Sequence, residues 1–217
     1  LHRRTTASVS WLHKDEVLRP KDFAALLENR VFPQRATGLE FATSLISEVT
    51  LALELGRGST IHFTPPFGEA PESADVTSLD LALTLRPWHA LTIDNTYLST
   101  RLSSPEDGTK IFDNHILRSK WNWQWTRELS LRFIAQYDEL DADETATSLR
   151  TRKNLNFDAL ATYLVNPGTA LFAGYNGNAR SLDLAPAERE RPRLTAADDL
   201  TYDAWQVLVK LSCLIRF

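Results

Sequence analysis

Five histidines, His2, His13, His62, His89 and His115, stand far apart in a chain of 217 residues. No Gly-x-Ser-x-Gly, phosphate-binding loop or His-Glu-x-x-His joins any of them to a second reactive group. Catalysis needs such groups within hydrogen-bond reach of one another, so the sequence predicts no enzyme active site, no cofactor and no metal set. The single cysteine, Cys213, has no partner for an internal disulfide, and no Cys/His spacing suggests zinc. The acidic run at 138–144 offers carboxylate oxygens to calcium, but it lacks the glycine of an EF-hand loop. A solvated acidic loop is the simpler reading.

The charges that stand out lie at every second position of otherwise apolar segments: Glu54, Asp80, Asp94, Arg118, Lys120, Arg132, Asp158, Lys210 and Arg216. In a dry core they would be costly, whereas a wet or ion-paired lumen accommodates them. Opposite charges on neighbouring strands would form a ladder that either braces a filled lumen, the preferred reading, or lines a channel. Trp121, Trp123 and Trp125 alternate in the same way. They could stack on sugars, but beside a short turn they fit an aromatic belt at a membrane interface better.

These positions are set by strands. Val49, Leu51, Leu53 and Leu55 alternate with Thr50, Ala52 and Glu54, and Leu79 to Leu85 alternate with Ser78, Asp80, Ala82 and Thr84. The same period of two recurs at 91–97, 121–126, 129–137, 156–163 and 205–217, and more weakly at 9–11, 39–45 and 171–175. About ten strands result, several longer than the ~5–6 residues usual in globular proteins. The predicted connections alternate in length. Short ones fall near Ser47, at 86–88, 126–128 and 166–168, and long ones at 64–74, 103–109, 138–148 and 181–200. Residues 20–29, opening on Pro20 and placing Phe23, Leu26 and Leu27 on one face, predict a short helix inside a loop.

An up-and-down meander with short turns at one end and long loops at the other is the pattern of bacterial outer-membrane barrels. No run of 18 apolar residues exists, which excludes a transmembrane helix. The net charge of −4 gives no electrostatic reason to bind nucleic acid. The chain starts at Leu1 without methionine or a leader, which reads as a processed or truncated start. The last strand places Val209, Leu211, Cys213, Ile215 and Phe217 on one face, resembling the terminal-strand signal that the barrel assembly machinery recognises.

Three segments resemble a poorly characterised bacterial outer-membrane family. They are Asn122-Trp123-Gln124-Trp125-Thr126-Arg127-Glu128 continuing to Asp138, Asn166-Pro167-Gly168-Thr169-Ala170-Leu171-Phe172, and Lys210 to Phe217, where Cys213 replaces an expected aromatic. The resemblance covers the region from about residue 75 onward. It implies a carboxy-terminal β-barrel preceded, in full-length members, by a carbohydrate-binding domain similar to the family-nine modules. No such module is visible in this chain.

The resulting expectation is an all-β, antiparallel meander, residues 1–217, forming a complete small barrel or the carboxy-terminal part of a larger one. Odd-numbered residues of the clear strands face lipid and even-numbered residues face inward. The expected function is an outer-membrane anchor or passage, with a carbohydrate-related role implied by the resemblance. Its expected partners are outer-membrane lipid, the assembly machinery and any missing amino-terminal strands or carbohydrate-binding domain. The alternative is a soluble secreted β-domain that binds glycans, in which the apolar face would be packed into a core.

Overall fold

The computed structural model describes residues 4–185 and 193–213. Ten strands follow one another: β1 (Arg4–Leu18), β2 (Arg30–Ile46), β3 (Val49–His62), β4 (Glu72–Trp88), β5 (Leu91–Ser103), β6 (Lys110–Gln124), β7 (Leu129–Ala142), β8 (Arg152–Asn166), β9 (Thr169–Ala185) and β10 (Arg193–Cys213). All lie in a single antiparallel sheet in sequence order, and β1 and β10 are its unpaired edges. The all-β meander is therefore present, as one open sheet.

Register explains how so local a pattern makes a two-faced sheet. Apart from Thr201 and Tyr202 of β10, which pair with Arg180 and Ala179 between two register shifts, the body of each ladder joins odd to odd and even to even: Leu53 to Leu81, Leu81 to Tyr97, Tyr97 to Leu117, Tyr137 to Leu155, Ala159 to Tyr175, and Tyr175 to Val207. Because side chains alternate across the pleat, a slip of one residue anywhere would send an apolar row to the polar face. The odd-numbered face is consequently a continuous apolar surface. From Leu129 to Tyr137 it runs eight residue steps, about 27 Å at ~3.4 Å per residue. The strand register of the turns departs from this only in short irregularities, one of them between Leu85 and Trp88. There the chain turns at residues 89–90 rather than at 86–88, because Pro87, unable to donate to a ladder, sits in a bulge that β4 passes through.

Strand length also corrects two loops. Most of the acidic run belongs to a strand, since β7 continues to Ala142 and sends Asp138 to one face and Glu139 and Asp141 to the other, leaving Asp143 and Glu144 in the loop. Glu139 accepts from the Tyr137 hydroxyl at 3.1 Å and pairs with Lys153 at 3.7 Å, while Asp141 pairs with Lys110. Residues 20–29 form turns rather than a helix. Phe23 and Leu26 are drawn into a cluster with Leu18, Phe32, Ile61 and Ala70, whereas Leu27 is 99% exposed. Packing of two residues under the loop outweighs the shared helical face that all three would have had.

Buried side chains collect at the long-loop end. One cluster is the group around Phe32. The second joins Ala74, Leu102 and Ile111 with Val76, Phe112 and Ala146. Leu18, Phe32, Gln34, His62, Ala74, Leu102, Leu140 and Ala142 are buried and even-numbered, while Ile61 and Ile111 at the strand ends are the odd-numbered buried members of the same clusters. The long loops thus fold mainly over the even-numbered face and leave the middle of the odd-numbered apolar face uncovered.

Candidate functional site

The even-numbered face below those loops carries the charged residues singled out in the sequence. Glu54 lies directly opposite Asp80 across β3 and β4, and Glu40 of β2 lies directly opposite Glu54 on the other side. Three carboxylates thus form one lateral row. They line a depression of about 270 Å³ together with Thr6, Ser8, Ala42 and Ala52. Glu40 accepts a hydrogen bond from the Ser8 hydroxyl at 3.0 Å. Glu40 was not among the sequence candidates, though its place between Leu39 and Phe41 carries the same alternation signal.

The basic residues occupy the other half of the face. Arg118 lies opposite Thr96 and Gln136, Lys120 opposite Asp94 and Ile134, and Arg132 opposite Asn122 and Leu160. Among the described residues no ion pair within 4 Å joins Glu54, Asp80, Asp94, Arg118, Lys120, Arg132, Asp158 or Lys210 to another charge. Asp94 instead accepts from the Thr84 hydroxyl at 2.8 Å, and Asp158 from the Asn176 amide at 2.6 Å. Lys210 stands 5.8 Å from the centre of the Phe172 ring. The sequence suggested a bracing ladder of paired charges; an acidic row on β2–β4 and a basic group on β6–β7 are present, with Asp94 and Lys120 directly opposite each other between them, but among the described residues none of these comes within 4 Å of an opposite charge. Above the basic sector, Asn114, Asp138, Asn154, Arg152 and Arg180 border a cavity of about 410 Å³.

The ion pairs lie elsewhere, toward the long-loop end. Arg101 and Asp113 approach to 3.8 Å, and Lys153 and Glu139 to 3.7 Å. The Tyr97 hydroxyl and His115 Nδ1 are 3.0 Å apart with their rings stacked. These odd-numbered residues form a polar border just beyond the apolar band. At the opposite end Trp123 packs edge-on to Trp88 at 6.5 Å and against Trp125 at 4.4 Å. Both borders place amphipathic rings where an apolar band meets polar surroundings.

The terminal-strand residues are present in part. Val209, Leu211 and Cys213 lie on the odd-numbered face of β10, paired with Ala173, Leu171 and Thr169. Ile215, Arg216 and Phe217 lie outside the described residues.

In the long loops two carboxyl groups are held below the ordinary aspartate range. The Thr145 hydroxyl and backbone N–H both donate to Asp143, and the backbone N–H and hydroxyl of Thr109 do the same for Asp107. Each hydrogen bond favours the charged form.

The sequence contained no sign of the most extensive loop contact. The Thr147 hydroxyl donates to the Thr64 carbonyl at 2.6 Å, and the Ser148 N–H donates to the same oxygen at 3.0 Å. The Thr64 hydroxyl completes the contact with Thr147 Oγ1 at 3.2 Å. His62, 1% exposed, donates from Nε2 to the Ala146 carbonyl at 3.0 Å.

What the fold defines by itself is an up-and-down sheet with one apolar and one charged face. No family model, curated protein or solved structure matches the chain.

Proposed function

We propose that this chain is the membrane-spanning sheet of a bacterial outer-membrane β-barrel protein that serves as an anchor or a passage. The observation that carries this reading is the uncovered apolar face. Trp205, Val207, Val209 and Leu211 on β10 are each more than half exposed, and Trp121 on β6, Phe157 and Tyr163 on β8 and Leu171 on β9 are exposed on the same odd-numbered face. A soluble sandwich would pack a second sheet on this face, and the described strands all belong to one sheet. Contiguous apolar surface of this extent marks contact with lipid or with another protein.

Two further features support lipid. The apolar band of about 27 Å along the strands suits a tilted strand crossing an apolar band ~25 Å tall. The Trp residues near the short turns and Tyr97 and Tyr137 toward the long loops border it on both sides, as aromatic girdles do. In lipid the open backbone groups of β1 and β10 would each cost several kcal/mol if unsatisfied, so these edges pair there with each other or with further strands.

Detergent dependence tests the reading. The purified chain is expected to need detergent or lipid to remain dispersed, and to become protease-protected on reconstitution into liposomes. A monodisperse, stable monomer in detergent-free buffer would remove the membrane assignment and favour the soluble glycan-binding domain.

A further inference from the structure

The segment at 143–151, leaving β7, does not extend outward from the sheet. Its first N–H, of Asp143, donates to the Ile111 carbonyl of β6 at 2.9 Å. Ala146 then packs on the Ala74, Leu102 and Ile111 cluster of β4, β5 and β6. Thr147 and Ser148 finally bind Thr64, two residues past the end of β3, and His62 of β3 binds Ala146. One short segment therefore crosses from β7 to β3, a separation of about 19 Å across four strand spacings of ~4.8 Å in a flat sheet. It does so on the even-numbered face, since His62, Ala74 and Leu102 all point there and are buried by it.

Its anchorage is specific at both ends. Near β7, Thr151 accepts from the Ala142 N–H at 3.1 Å and donates to the Ala142 carbonyl at 3.2 Å. At the far end Thr147 is 2% exposed and engages both the carbonyl and the hydroxyl of Thr64. The apolar contact in between is small, essentially Ala146. A strap held mainly by hydrogen bonds, over a small apolar footing, opens at lower cost than a packed core element. The charged sectors share that even-numbered face, and the 410 Å³ cavity bordered by Asn114, Asp138, Asn154 and Arg180 lies beside the strap between β6 and β9; both would face water in any passage.

We propose that residues 63–71 and 143–151 form a gate, clasped through Thr64 and Thr147, that closes the long-loop end of a passage along the charged face. This rests on the passage form of the function proposed above. Closure is the resting state, and release of the Thr64–Thr147 clasp opens the path.

Single-channel recording of the full chain in planar bilayers tests it with two variants. Thr147→Val keeps the shape but removes the hydroxyl, and the loss of a buried hydrogen bond is expected to raise the open fraction roughly tenfold. Thr64→Cys with Ser148→Cys, in a Cys213→Ser background, is expected to conduct only after reduction. It keeps the test valid should the valine variant fail to insert. If oxidised, reduced and wild-type forms conduct equally, the gate is overturned and the passage stands. If every form is inserted and protease-protected yet none conducts, the passage and the gate fall together, leaving the anchor.

Discussion

Glu54 on β3 faces Asp80 on β4 directly, with Glu40 of β2 next in the same row, so three carboxylates adjoin on one face with no cation among the described residues within ion-pair distance. Like charges directly opposite one another oppose pairing. Asp80→Asn is therefore expected to raise stability by about 0.2–1 kcal/mol, read as the urea midpoint of the detergent-folded chain. High salt should shrink the difference, since screening already weakens the repulsion it removes. A loss of stability in the variant would mean that a partner group supports this row.

The two faces should differ sharply in their tolerance of charge. Phe157 is on the odd-numbered face in mid-band, while its neighbour Asn156 is on the even-numbered one. Phe157→Arg is expected to cost about 2–4 kcal/mol in liposomes, and Asn156→Arg less than ~1 kcal/mol. Equal costs would mean that the faces are assigned wrongly.

Gly58 is a glycine that a neighbouring backbone approaches closely. A Cβ placed there would collide with the Arg35 carbonyl and the Ala36 Cα, both backbone atoms that cannot rotate away. Gly58→Val is expected to destabilise by roughly 1–3 kcal/mol, as overpacking does, and to show a lower thermal midpoint. Gly68, by contrast, has open space around it but a φ of 94°. Gly68→Ala should lose about 1 kcal/mol through backbone strain alone, and Gly68→Asn less, because Asn tolerates that conformation.

Acid should loosen the loops before the strands. Asp107 and Asp143 titrate below the ordinary aspartate range because Thr109 and Thr145 donate to their charged forms. A carboxyl depressed in the folded state contributes stability that is full above its unfolded value and lost as the pH falls through its folded value. Amide signals of Thr109 and Thr145 are accordingly expected to stay unchanged from pH 8 to about 5 and to move only below the usual range near ~3.9. In Asp143→Asn the Thr145 signal should lose that acid transition.

Strands were legible because period-two alternation is a local property, carried by residues such as Leu79, Asp80 and Leu81 whatever the rest of the chain does. The same signal placed all of the described charge candidates on one face. It misjudged the run at 138–144, where polarity resembles a loop although alternating faces let a strand continue to Ala142. It also misjudged 20–29, where the helical spacing of Phe23, Leu26 and Leu27 gave way to packing against Phe32 and Ile61.

The sequence by itself determined the number of strands, their order of long and short connections, and which side of the pleat each residue takes, since all three follow from the chain's immediate neighbours. Only the tertiary structure decided which charges share a row, that the acidic and basic sectors stay unpaired, and that Thr147 reaches Thr64. Those depend on cross-strand register and on contacts between residues 83 apart. Such contacts form only once the intervening strands have aligned, and no short-range pattern records them.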